Sequence, residues 1–266
     1  MNKVKDIYDF LCEIAPIEMK MDFDNVGLLV GTSESEVTKI LLALDITNDV
    51  ITESIEHGAQ LIISHHPILF SVKSITDTDA IGKKIIKLIK NGISAICMHT
   101  NLDAAKGGVN DALAKAAGIA EKDDAKLFGH ISSLPSGEKY SIGRYGYLAD
   151  PCPMPEYLER LKKSLETNGL RYYDSGRKVH KVAVVGGSGG DDFEEALKLG
   201  CDTFITADIK YSKFLEAKEF GVNLIDGDHF CTENVVTKEL SSKLTGAFPQ
   251  IQTIISQRHK QVISFY

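Results

Sequence analysis

The feature that most constrains this chain is a repeated alternation. Short, uninterrupted apolar runs are each followed by an amphipathic stretch with helical spacing. "KILLALDIT" (39–47) reads as a strand, and "NDVITESIEHG" as a helix capped by Asn48 and closed by Gly58. "AQLIIS" is then a strand, "DAIGKKIIKLIKNG" a helix, "ISAICMHT" a strand and "GGVNDALAKAAG" a helix. A strand exposed on one face would alternate apolar and polar residues; these do not, so both faces are covered. Such strands with intervening helices give the α/β class with a mostly parallel sheet.

The second half repeats the design. "KVAVVGGSGG" (181–190) is a strand and loop, followed by the helix "DDFEEALKLG", the strand "CDTFITAD", the helix "KYSKFLEAKEFG", the strand "VNLIDGDHF" and the helix "TENVVTKELSSKL". "ESIEHGAQLIISHH" echoes "EALKLGCDTFITAD", and "IKNGISAICMHTNLD" echoes "KEFGVNLIDGDHFCTE". A weak internal duplication of a βαβαβα unit follows. A first helix is expected over about 3–13, stopping before Pro16. A Gly-, Pro- and Ser-richer connector, 129–180, carries the strand "SIGRYGYL" and a helix launched by Pro155. The expected organisation is two interlinked α/β lobes, 1–128 and 129–266, with a functional site between the halves.

The formal charge of −7 lacks the clustered Lys and Arg of a nucleic-acid footprint, so nucleic acid is not an expected partner. The five cysteines (Cys12, Cys97, Cys152, Cys201 and Cys231) are scattered without a CxxC pair. They fit reduced, mostly buried thiols and offer neither a disulfide framework nor a thiolate zinc site. The N-terminus lacks the apolar core of a signal peptide, and no run approaches 18 apolar residues. A cytoplasmic protein without a membrane span is expected.

In open α/β sheets, ligands bind beyond the carboxyl ends of the strands. Those positions hold Asp45; His65 and His66; His99, Thr100, Asn101 and Asp103; Asp208; and His229 with Glu233. Half of the eight histidines lie in this set, whereas His57, His180 and His259 fall where ordinary surface scatter would put them. Adjacent strand residues face opposite ways, so His65 and His66 converge only if the strand has ended. Pro67 ends it, because it lacks a ladder N–H and biases His66 toward an extended or turn conformation.

His229 and Glu233, four apart, share one side of a helix entry if that helix begins near Thr232. Imidazole plus carboxylate without thiolate suits Zn, Mn, Fe, Co or Ni. His65, His66, Asp103, His229 and Glu233 exceed the three protein ligands of an open mononuclear zinc site, and five are enough for two bridged divalent ions. Each also has a plainer role: a solvent-facing His turn, an N-cap at Asp103, a first-turn acid at Glu233, a structural His229. Their joint appearance at matching strand ends favours the metal. "VVGGSGGDD" matches neither dinucleotide nor Walker A patterns, and capping by Asp191 and Asp192 is its expected use.

The segments "FDNVGLLVG" (23–31), "LIISHHP" (61–67), "HTNLDAA" (99–105), "GRYGYL" (143–148), "VAVVGGSGG" (182–190) and "DHFCTE" (228–233) resemble, in order, the motifs of the NIF-three-like dinuclear metal-centre proteins, also filed as GTP cyclohydrolase 1 type 2 homologues. The resemblance implies two metal ions on His65, His66, Asp103, His229 and Glu233, and a homohexamer built from dimers. It also implies hydrolysis at the imidazole ring of GTP, where a metal-bound hydroxide adding to C8 would release formate. Glu233 or His99 would move protons, although His99 could equally be a packed strand-end residue. The alternatives are a non-catalytic metal-binding, regulatory or metal-trafficking scaffold, and a two-metal phosphoesterase acting on a nucleotide or phosphosugar. Lys210 and Arg144 would serve phosphates in either nucleotide case. The chain departs from the family pattern at Phe23 (usually Trp), Ala207 (usually Gly) and Ser212 (usually His), and "DGDH" replaces the more usual "AGH". These departures bear on the pocket rather than on the ligands.

Overall fold

The computed structural model describes residues 2–119 and 125–266. Along the chain run α1 (Val4–Ile14), β1 (Gly27–Val30), β2 (Lys39–Ala43), α2 (Asn48–His57), β3 (Leu61–Ser64), α3 (Ala80–Lys90), β4 (Ser94–Cys97) and α4 (Thr100–Ala104). Next come α5 (Val109–Ala116), β5 (Lys126–Phe128), β6 (Ser132–Ser133), β7 (Lys139–Tyr140), β8 (Gly143–Cys152), α6 (Met154–Ser164) and β9 (Arg171–Tyr173). The chain continues through β10 (Val179–Val184), α7 (Phe193–Lys198), β11 (Thr203–Thr206), α8 (Tyr211–Phe220), β12 (Asn223–Asp226), α9 (His229–Asn234), α10 (Val236–Ala247) and β13 (Gln252–Ile255). Among the described residues no helix is long and apolar enough to cross a membrane.

Two compact units result: Met1–Ala105 with Thr237–Lys260, and Lys106–Val236 with Gln261–Tyr266. These limits differ from the 128/129 boundary expected from composition. Leu113 and Ala114 of α5 join the core of the second unit, and β13 returns to pair with β2. The first unit is a five-stranded sheet of order β1-β4-β3-β2-β13, parallel except for β1 against β4. The second has a six-stranded sheet, β5-β8-β10-β11-β12-β9, with β10, β11 and β12 parallel and their neighbours antiparallel.

The continuous apolar runs bury both faces, as their pattern requires. In the second unit Val182, Val184, Ile205 and Ile225 join a core with α5 and α6, while Ala183, Val185, Phe204 and Leu224 join another with α7 and α8. Local signals mostly act where expected. Gly58 closes α2 in the left-handed conformation, and Pro155 sits in the first turn of α6. The cap of α2 is Thr47 rather than Asn48: its side chain accepts from Val50 N, one residue earlier than expected.

The duplication extends to individual hydrogen bonds. The Gln60 side-chain carbonyl latches the start of β2 by accepting from Thr38 N and Lys39 N at 2.9 and 3.0 Å. The Asp202 carboxylate does the same for β10, accepting from His180 N and Lys181 N at 3.0 and 2.7 Å. Gln60 N then bonds Lys39 O, and Asp202 N bonds Lys181 O. At the other ends, Met98 N donates to Ser64 O and Gly227 N to Thr206 O.

Candidate metal centre

Each unit carries a cluster of candidate ligands at the carboxyl ends of its strands. In the first, β3 ends at Ser64, and His65 and His66 follow outside the ladder, as Pro67 predicts. Their ring centroids are 5.0 Å apart, and the His99 ring stands 5.1 and 5.5 Å from them. His65, His66 and His99 each offer one ring nitrogen, all within 4.8 Å of one another. Asp103 lies inside α4, buried, with Oδ1 3.4 Å from His65 Nε2; it is therefore not the N-cap of the next helix.

Each ring is held by its other nitrogen. His65 Nδ1 lies 2.9 Å from the Met98 carbonyl, His66 Nδ1 2.8 Å from Asp45 Oδ1, and His99 Nδ1 2.8 Å from Asp24 Oδ1. A carbonyl or carboxylate only accepts, so Nδ1 carries the proton and Nε2 of a neutral ring presents a lone pair. Metal-binding imidazoles are held in this way. Burial alone would raise the carboxyl of Asp24, but hydrogen bonds from His99 and Thr100 outweigh it and hold the group far below the carboxylate range. Asp45 behaves likewise, its burial outweighed by His259 and His66.

In the second unit α9 begins at His229, three residues earlier than expected. His229 and Glu233 therefore lie one turn apart within one helix, with Nε2 3.1 Å from Oε2. Asp228, at φ +69°, caps this helix by accepting from Cys231 N. His229 Nδ1 lies 2.7 Å from Asp208 Oδ2, and Asp208 has φ +54°. Two acidic residues in the uncommon left-handed region thus follow β11 and β12, one holding the imidazole and the other starting its helix. The adjacent Glu233 carboxylate pushes His229 up to about 9; burial opposes this, and Asp208 adds to it.

The glycine loop acquires a purpose here. Gly187 has φ +63°, and a Cβ on it would fall 2.1 Å from Glu233 Oε1 and 3.2 Å from His229 Nε2. Gly187 N donates to Thr232 Oγ1 of α9 at 3.1 Å, and its carbonyl accepts from Thr206 Oγ1 at 3.0 Å. The loop is built to leave space over the His–Glu pair, which spacing alone did not reveal. Asp191 and Asp192 make no side-chain cap on the helix that follows, against expectation. Arg144 is buried and bound to Asp111, Ser141 O and Gly143 O, so it is not available to a phosphate. Lys210 is exposed.

The donor set, imidazole Nε2 atoms with buried carboxylates and no thiolate, fits a divalent transition metal. All five cysteines are free and four are buried; Cys97 Sγ donates to the His65 carbonyl at 3.0 Å. Of the departures from the family pattern, Phe23 and Ser212 are exposed and Ala207 is buried.

The model of the family described as Duf34/NIF3 (NGG1p interacting factor 3) matches residues 2–261. A Clostridium acetobutylicum protein named GTP cyclohydrolase 1 type 2 homolog is 42% identical over 92% of this chain and 90% of its own length. A Clostridium perfringens protein of the same name is 40% identical over 99% of both. Among solved structures, a Bacillus cereus protein related to NIF3 superposes with a TM-score of 0.90 at 26% identity, covering 100% of this chain and 99% of that one. By its whole-chain family match and by its fold, this chain belongs to the Duf34/NIF3 family.

Proposed function

We propose that this chain is a hydrolase dependent on two divalent metal ions, held by His65, His66 and Asp103 together with His229 and Glu233, and that it opens the imidazole ring of GTP with release of formate. The observation that carries the ligand assignment is the common fixing of Nδ1 in His65, His66 and His229, which leaves Nε2 as the donor atom in each. The clearance that Gly187 leaves over Glu233 and His229 supports it from the second unit. The substrate is carried over from the naming of the relatives, both called GTP cyclohydrolase 1 type 2 homolog.

When bound, a metal pair of this kind makes water acidic near neutral pH and polarises the bond under attack. His99 is assigned to proton movement: its Nδ1–H is committed to the buried Asp24, so Nε2 takes up or returns a proton at a fixed position. Glu233 is buried at the end of the His229 ring and serves as a ligand and a second proton acceptor. A cytoplasmic location and a homohexamer built as a trimer of dimers belong to the same proposal; light scattering in solution tests the assembly.

Metal analysis on protein freed of adventitious ions, followed by formate detection with GTP under Zn, Mn, Fe and Co, is the test. About two ions per chain and formate from GTP are expected, with both lost in a His65→Ala/His66→Ala double variant. Well under one ion per chain would sink the metal centre. Metal without formate would favour the scaffold alternative. The burial of Arg144 removes one of the two candidate phosphate contacts from the GTP and phosphoesterase readings alike.

A further inference from the structure

His259 follows the last strand in the sequence "SQRHK", and its composition gave no reason to separate it from surface histidines. In the structure its side chain is 9% exposed, and Nε2 lies 3.2 Å from Asp45 Oδ2. The Asp45 backbone N–H points back at His259 Nδ1, at 3.5 Å the longer of the two contacts. An Nδ1 that accepts leaves the ring proton on Nε2, which therefore donates to the carboxylate. The other oxygen of that carboxylate, Oδ1, receives Nδ1–H of His66 at 2.8 Å. One carboxylate thus takes an N–H on each oxygen, one from a proposed metal ligand and one from the C-terminal segment.

The segment that brings His259 there is fastened. Glu53 of α2 is buried, and its carboxylate accepts from Ser256 Oγ, from Gln257 N at 2.8 Å and from Arg258 N at 3.4 Å. His259 N donates to Ser256 Oγ at 3.1 Å, so the histidine is anchored to the same clamp. Asp45 by contrast has a side chain 43% exposed. Without His259 its carboxylate would keep a single side-chain partner in that direction and could rotate about χ2, a broad, two-fold torsion.

The geometry assigns His259 as a positioning residue: it fixes the plane of the Asp45 carboxylate, which in turn fixes the His66 ring through Nδ1 and so the direction of its Nε2. This rests on the proposed metal centre. Partners of this kind, one step removed from a ligand, are worth 10–100-fold in metal affinity. The test compares wild type with His259→Ala, His259→Gln and His66→Ala, the last alone and combined with His259→Ala. Cobalt(II) affinity by chelator competition, the visible spectrum of the cobalt-loaded protein, and the His66 tautomer from ring 15N shifts in the metal-free protein are measured. Expected are about 10-fold weaker cobalt binding in His259→Ala, a changed spectrum, and a His66 ring no longer held as a single Nδ1–H tautomer. Recovery in His259→Gln, and no further loss when His259→Ala is added to His66→Ala, complete the expected pattern. Unchanged affinity, spectrum and tautomer in His259→Ala, with wild type binding cobalt, would overturn the assignment, as would a His259→Ala effect undiminished in the His66→Ala background. Wild type that retains no cobalt would overturn the metal centre itself and, with it, any role of His259 toward a metal.

Discussion

Glu233 keeps its place beside His229 because residue 187 has no side chain: a Cβ on Gly187 would stand 2.1 Å from Glu233 Oε1. Gly187→Ala must therefore push the carboxylate away from His229. It also places a β-carbon at φ +63°, which costs about 1–2 kcal/mol. The expected result is a folded protein, slightly less stable by urea denaturation, whose metal retention falls at least as far as in Glu233→Gln. Normal metal content in Gly187→Ala would show that the loop does not govern the pair.

The pH dependence of metal uptake follows from His229. Its imidazole is raised from about 6.5 to about 9 in the metal-free protein, chiefly by the Glu233 carboxylate. The ring is therefore protonated at neutral pH, and its favourable pairing is present below about 6.5 and lost as pH rises through about 9. A metal ligand must be deprotonated, so binding should release protons and strengthen from pH 6 toward 9. Calorimetry in buffers of different ionisation enthalpy reads the proton count, which should drop in His229→Ala.

Asp24 predicts the opposite sign. Its carboxyl is held low by His99 and Thr100 despite burial, so its contribution to stability is present above the unfolded value of about 3.9 and fades as pH falls from there toward the folded value. Asp24→Asn should cost about 1.5–3 kcal/mol at pH 7, the range for hydrogen bonds to a charged group. The difference from wild type should shrink in urea titrations below pH 4. A gap constant with pH would mean that the carboxylate charge contributes nothing.

Phe204 is completely buried on β11, with its ring centroid 6.0 Å from that of Phe193, the first residue of α7. Phe204→Ala should destabilise the fold by about 3–5 kcal/mol through lost burial and the cavity left behind. Thermal denaturation checks this, and a loss under 1 kcal/mol would mean that the second unit repacks freely.

The sequence displayed the sheet strands because their apolar runs are uninterrupted, a pattern that only two-sided burial explains. It marked His65, His66, Asp103, His229 and Glu233 as candidates because strand ends are where such folds bind ligands, and the structure sets His65 beside Asp103 and His229 beside Glu233. What it hid depends on contacts remote in sequence. His259 reaches Asp45 across more than two hundred residues, and Asp24 holds His99 across seventy-five. Arg144 resembles a surface cation in isolation and becomes a buried structural one only through Asp111. Gly187 shows its reason only once Glu233 is placed. The start of α9 is set by Asp228 at a positive φ, which no local propensity announces.

The matched latches of Gln60 and Asp202 sit at the amino ends of β2 and β10, while the candidate metal ligands follow the opposite ends of the strands. β3 ends at Ser64 and continues His65-His66; β11 ends at Thr206 and continues Ala207-Asp208. The instructions that assemble each copy and the residues that give it a task therefore occupy opposite rims of the sheet. Such a chain can be rewritten along one rim while the other continues to fold it, so an ancestral pair of alike halves could diverge into unequal contributors without either losing its architecture.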